Sequence, residues 1–169
     1  MTHTPSPFRT LPRQTGSSLI EVLVSVFVLA FGLLGIASMQ ASALRNTQGA
    51  LEQSTAVFLT NSMLDAMRAT MQPDPANPGR MLVRSAYAKD SFICSDSDAA
   101  SSDTLVKNDL KQWLKNIQNN LNGGEADANA CGKIVCDESD PNLCTVSVRW
   151  NSSRSGGQED QVVETRSRL

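Results

Sequence analysis

Glu21 is the residue that first demands a chemical explanation. It is a carboxylate within residues 19–37, a run that is otherwise almost wholly apolar. Such a charge costs roughly 2.5–3.5 kcal/mol on insertion scales for Asp at the centre of a bilayer. Near a helix start the cost is lower, because the interface is close and the N–H groups of the first turn favour negative charge. The charge still calls for a partner, and the sequence offers one. Cutting between Gly16 and Ser17 would leave a free amine on Ser17, four residues before Glu21. In a bundle of such helices, the carboxylate of one copy can meet the Ser17 ammonium of the next, which would satisfy both charges and set axial register. A plainer reading is an acid tolerated at the membrane surface.

The other reactive groups are thiols. Cys94, Cys131, Cys136 and Cys144 all follow the apolar run, so a membrane crossing there places all four on one, oxidising, side. An even count then reads as two disulfides, with three connectivities open. Cys136 and Cys144 flank the turn residues 137–142 and lie on like faces of two strands, which favours that pair and leaves Cys94 with Cys131. Zinc is the competing reading, but the spacings lack a C-x2-C knuckle. The only histidine, His3, lies before the proposed cut, so the processed chain has no imidazole base or ligand. No Gly-rich phosphate loop or nucleophile elbow is present, so neither an enzyme nor a cofactor is expected. Asp96, Asp98 and Asp103 lack the central Gly and terminal Glu of a calcium loop and read as solvated.

These groups must be held by a few elements. Residues 1–16 carry Arg9 and Arg13 and no acid, whereas all 17 acidic residues come later. A basic start before an apolar run is an export layout with the positive end kept in the cytoplasm. The small net charge of −2 suggests no nucleic-acid partner. Residues 17–40 are of membrane-spanning length. From 41 to 72 the pattern continues as an amphipathic helix, with Leu44, Leu51, Phe58 and Val57, Leu64, Met71 read as one apolar stripe. Pro73 and Pro75 stop it. The whole would be a helix of about 55 residues, about 80 Å long at 1.5 Å per residue, too long for a head of this size to enclose.

Residues 73–169 form the head. The stretch to about 102 reads as loop, and residues 81–94 as either a short strand or a helical turn. A second helix begins near Ser102 or Asp103, buries Val106, Leu110, Trp113, Leu114, Ile117 and Leu121, and ends at Gly123 and Gly124. Three antiparallel strands follow, with Ile134 and Cys136, then Cys144, Val146, Val148 and Trp150, then Val163 and Thr165 in register.

Gly16 followed by SSLIEVLVSVFVLAFGLLG resembles the processing signal of type IV prepilins and of type II secretion pseudopilins. The resemblance covers residues 9 to about 40. It implies a prepilin peptidase that cuts after Gly16 and methylates the amine of Ser17, with Glu21 as the acidic fifth residue of the mature chain. It implies an α+β pilin-like fold, a long N-terminal helix on a small antiparallel sheet with an additional helix. Ser17 stands where the family most often has Phe, and the apolar half lacks the helix-bending Pro common in major pilins. With the layout of the head, this resembles a PilV-type minor pilin. The implied partners are other minor pilins, the major pilin, the inner-membrane assembly platform and inner-membrane lipid. The implied location is the inner membrane, head in the periplasm, and then the pilus, near its tip. A pseudopilin fits the first forty residues equally well. An ordinary signal peptide cut after Ala41-Ser42-Ala43 is a further alternative, against which stand Glu21 and the stripe that crosses the cut.

Overall fold

The structure, a computed structural model, describes residues 16, 18–121, 129–157 and 159–169, with the side chain of Arg154 left aside. Gly123 and Gly124, the expected stop of the second helix, lie outside the described residues, as does Ser17. The chain divides into two units, Met1–Ala41 and Ser42–Leu169.

Helix α1 spans Leu19–Ala69. Within the first unit none of its described residues is buried, and Leu19 and Met39 are 83% and 75% exposed. Its most apolar window has a mean hydropathy of 2.6, enough in length and composition to cross a membrane.

In the second unit α1 presents Ala56, Leu59, Thr60, Met63, Leu64 and Met67 to the core. This corrects the expected stripe. Leu44, Leu51 and Phe58 remain 69%, 64% and 70% exposed, and Val57 is exposed as well. The reason is angular. At about 100° per residue the two heptad series fall on different sides of the helix, so one head cannot cover both. Leu64 is buried and Met71 packs against the core from just beyond the helix. The last turn is closed by Thr70, whose hydroxyl donates to the carbonyls of Ala66 at 2.9 Å and Met67 at 3.3 Å, and Arg84 Nε donates to the Thr70 carbonyl at 2.8 Å.

The segment read as either strand or turn contains both. Strand β1 (Gln72–Pro73) pairs with β2 (Met81–Leu82), a 3-10 turn covers Ser85–Tyr87, and β3 runs Lys89–Ile93. Helix α2 spans Thr104–Leu121 and buries the six residues its sequence marks. Asp103 caps it, accepting from the backbone N–H of Leu105 at 3.0 Å. Strands β4 (Cys131–Cys136), β5 (Leu143–Trp150) and β6 (Gln161–Arg168) complete an antiparallel sheet of order β3-β4-β5-β6.

One face of this sheet supplies Ile93, Ile134, Val146, Val148 and Trp150 to the core shared with α1 and α2. Trp113 of α2 is central. Its indole N–H donates to the buried carbonyl of Leu59 at 2.9 Å, and its ring lies against Gly132, where a Cβ would come within 2.2 Å of it. Asn142 fastens the margin: Oδ1 accepts from Val83 N–H at 3.0 Å, Nδ2 donates to Met81 O at 2.9 Å, and its own carbonyl accepts from Leu169 N–H at 2.8 Å. The observed α+β architecture is the one expected.

Candidate assembly site

Glu21 occupies the third position of α1, directly after Ser18 and Leu19-Ile20. Its backbone N–H donates to the Ser18 carbonyl at 2.9 Å, and Val22 N–H reaches the same oxygen at 3.3 Å. Ser18-x-x-Glu21 also has the spacing of a capping box, a signal that the sequence reading missed. An acidic residue in the first turn lies near the N–H end of the helix, where negative charge is favoured. One turn on, the Ser25 hydroxyl donates to the Glu21 carbonyl at 2.7 Å, which satisfies a polar group that lipid would leave unpaired.

Beyond Glu21 the first unit carries no other ionisable group up to Ala41. Phe27 and Phe31 meet edge to face at 4.7 Å between ring centroids. A Cβ added to Gly16, Gly32 or Gly35 would meet nothing within 4 Å. This surface can do one thing well: exchange one apolar cover for another, because burial of apolar area is rewarded whether the cover is lipid or protein. Gly16 and Glu21 are thus placed at the start of the exposed apolar helix.

The four cysteines stand elsewhere, in the second unit. Cys94 is bonded to Cys131 and Cys136 to Cys144, so no described cysteine is free for a metal. The first bond ties the segment after β3 to β4, and the second joins the ends of β4 and β5. Arg149 lies beside the first, its guanidinium carbon 4.4 Å from the centre of the Phe92 ring and Nη2 3.7 Å from the Cys131 sulphur.

The three aspartates that raised a calcium reading are each engaged by protein. Asp98 accepts from the Ser95 hydroxyl and from the N–H groups of Cys94 and Ser95, which hold its carboxyl below the usual value. For Asp103, desolvation opposes ionisation, but the N–H groups of Val106 and Leu105 and the Arg84 guanidinium prevail and lower it. Asp96 pairs with Lys111 at 3.3 Å.

Residues 11–37 match the family described as the prokaryotic N-terminal methylation motif, and this supports a place among the type IV pilins and pseudopilins. No curated protein and no solved structure matches the chain.

Proposed function

We propose that this chain, bearing the N-terminal methylation motif of type IV pilins and pseudopilins, is a minor pilin that helps to initiate a filament together with other minor pilins. The observation that carries the reading is the combination at the N-terminus: a helix exposed on every side, apolar from Leu19 to Met39, interrupted by one carboxylate at its third residue. Such a helix needs a cover, and in this reading it has two in succession, membrane lipid and then neighbouring subunits.

In this reading residues 1–16 are a leader that prepilin peptidase removes after Gly16, and Ser17 carries the methylated amine. The portion 17–40 anchors and later packs, 41–72 joins it to the head, and 73–169 faces the periplasm. The assembly platform extracts the subunit, which joins major pilin and ends near the tip. The protein is structural. The motif is shared with minor pseudopilins of type II secretion, which stand as the alternative. The paired cysteines and sheet-rich head favour the pilus side.

Mass spectrometry of the protein from sheared filaments tests the processing, with a start at methylated Ser17 expected. A leader still attached, or a start at Leu44, overturns it. Deleting the gene separates the two assemblies: loss of pili and twitching supports the pilus reading, and loss of exoprotein secretion with intact pili supports the other.

A further inference from the structure

A groove of about 170 Å³ lies between α1 and α2 in the second unit, lined by Ser62, Met63, Ala66, Asp109, Gln112, Trp113 and Asn116. Its chemistry is divided. Met63, Ala66 and Trp113 give an apolar floor, with Met63 and Trp113 buried in the core. The other four are polar, and one is a carboxylate.

Asp109 is the informative residue. It is partly buried, and one of its oxygens, Oδ2, accepts the hydroxyl hydrogen of Tyr87, whose ring is fully buried. The other oxygen, Oδ1, has no hydrogen-bond partner among the described residues, and Asp109 has no ion pair there. Arg84, three residues before Tyr87, is committed to Asp103 at 2.8 Å and to the Thr70 carbonyl. Lys111, on the same helix, reaches Asp96. A carboxylate oxygen with no cationic partner, set beside apolar side chains, is an acceptor that an incoming cation can use in a charge-assisted hydrogen bond.

The neighbours of Asp109 complete the specification. Gln112 directs its amide N–H to Asn116 Oδ1 at 3.2 Å, which leaves Gln112 Oε1 as an acceptor. The Ser62 hydroxyl donates to the Leu59 carbonyl at 2.9 Å, so its oxygen also remains an acceptor. Acceptors above an apolar floor suit a side chain with a hydrocarbon stem and a cationic tip. At about 30 Å³ for each water-sized group, the volume holds the stem and tip of one such side chain.

The engagement of Oδ2 decides between the two candidates. Arginine binds carboxylates best through both oxygens at once, and here Tyr87 holds one of them. Lysine is a point charge that needs one oxygen and can turn its remaining N–H groups to amide and hydroxyl acceptors.

We propose that this groove is a docking pocket for a lysine side chain presented by a neighbouring subunit, with Asp109 Oδ1 as its counter-ion and Met63, Ala66 and Trp113 as the seat of its stem. The pocket itself stands on its own geometry; that the lysine comes from a neighbouring subunit rests on the assembly reading above.

The test separates these two parts. The full chain, isotopically labelled in detergent micelles, is titrated with n-butylammonium, n-butylguanidinium and n-butanol, and the indole N–H of Trp113 and the backbone N–H groups of 109–116 are followed by NMR. Saturable shifts with n-butylammonium are expected, weaker ones with the guanidinium, and none with the alcohol. Asp109→Asn, which keeps an acceptor for Tyr87, should weaken the ammonium at least about tenfold, the scale of a lost charge-assisted hydrogen bond. Gln112→Glu adds a second carboxylate and should tighten it. Equal response to the alcohol, or an Asp109→Asn protein that binds the ammonium as before, overturns the pocket. The donor is tested separately in cells with a photo-crosslinking residue at position 112. Cross-links next to a lysine of another subunit support the assignment. Binding of the ammonium without such a cross-link in assembled filaments overturns the neighbouring-subunit donor and leaves the pocket.

Discussion

Trp150 donates its indole N–H to Glu52 Oε2 at 3.1 Å, joining the end of β5 to α1 across 98 residues of sequence. The same oxygen accepts the hydroxyls of Ser152 and Ser155, each at 2.9 Å. Three buried side chains thus converge on one carboxylate oxygen, and the loop between β5 and β6 is fastened to α1 at that point. Glu52→Ala leaves the three donors without their acceptor, at a cost of about 1–3 kcal/mol. Thermal unfolding of the full chain in detergent should fall by roughly 3–10 °C. Glu52→Gln retains an acceptor oxygen and should lose less. Equal stability of the alanine variant and the parent would show that the loop is held by other contacts.

Gly132 has its place because of Trp113. An added Cβ would stand 2.2 Å from Cζ3 and 2.3 Å from Cη2 of that ring, and 3.1 Å from Ile117 Cδ1. The ring cannot retreat without breaking its hydrogen bond to Leu59. Gly132→Ala should therefore cost at least the 1–3 kcal/mol typical of overpacking. It should also shift the buried Trp113 fluorescence toward that of exposed indole. Wild-type stability in this variant would mean that β4 stands further from α2 than described.

The two disulfides close loops of different length, with sequence separations of 37 and 8. In the chain-entropy account the longer loop is worth about 1.4 kcal/mol more, from (3/2)RT times the logarithm of the length ratio. Replacing Cys94 and Cys131 together by Ser should lower stability more than replacing Cys136 and Cys144 together. Denaturant midpoints in the reverse order would point to an enthalpic origin.

Tyr87 is the only tyrosine, so tyrosinate absorbance reports on it alone. Burial first, and then the hydrogen bond to Asp109, push its phenol from 10.0 up to about 12. A raised value means that the folded state favours the neutral phenol. Its contribution to stability is complete below pH 10 and is lost as pH climbs through about 12. The native titration should lie well above that in denaturant, and Tyr87→Phe should flatten the alkaline loss of stability. Coincident native and denatured titrations would contradict the burial.

Much of this was legible in the sequence because the signals were periodic. The six buried positions of α2 and the alternation along β5 follow from spacing alone, and both strand ends carry cysteines on like faces. The buried face of α1 was misread because two apolar series coexist on one helix, and periodicity cannot say which the head will choose. The Glu52 and Asn142 hubs were invisible, since they join residues far apart whose types are ordinary. The groove at Asp109 was hidden for the same reason: it needs two helices and a tyrosine brought together by tertiary packing.

Glu21 carries the prediction on which the assembly reading turns. It is the third residue of α1, and its backbone N–H donates to the Ser18 carbonyl. Apolar helices slide past one another with little change in energy, because every axial offset buries similar area. In the assembly reading, a carboxylate on one helix and an amine on the next favour the one offset that brings them together, because opposite charges attract strongly in an apolar surrounding. Glu21→Ala should leave export and cutting after Gly16 intact, as neither step uses the carboxylate, and should reduce the subunit in sheared filaments at least about tenfold. Glu21→Gln keeps the size and the hydrogen-bonding oxygen but not the charge. If the charge sets the register, glutamine fails as alanine does; if the side chain acts by shape or capping, glutamine restores assembly. Immunoblots of filament and membrane fractions for the two variants distinguish these outcomes, and wild-type incorporation of both would take the carboxylate out of assembly altogether.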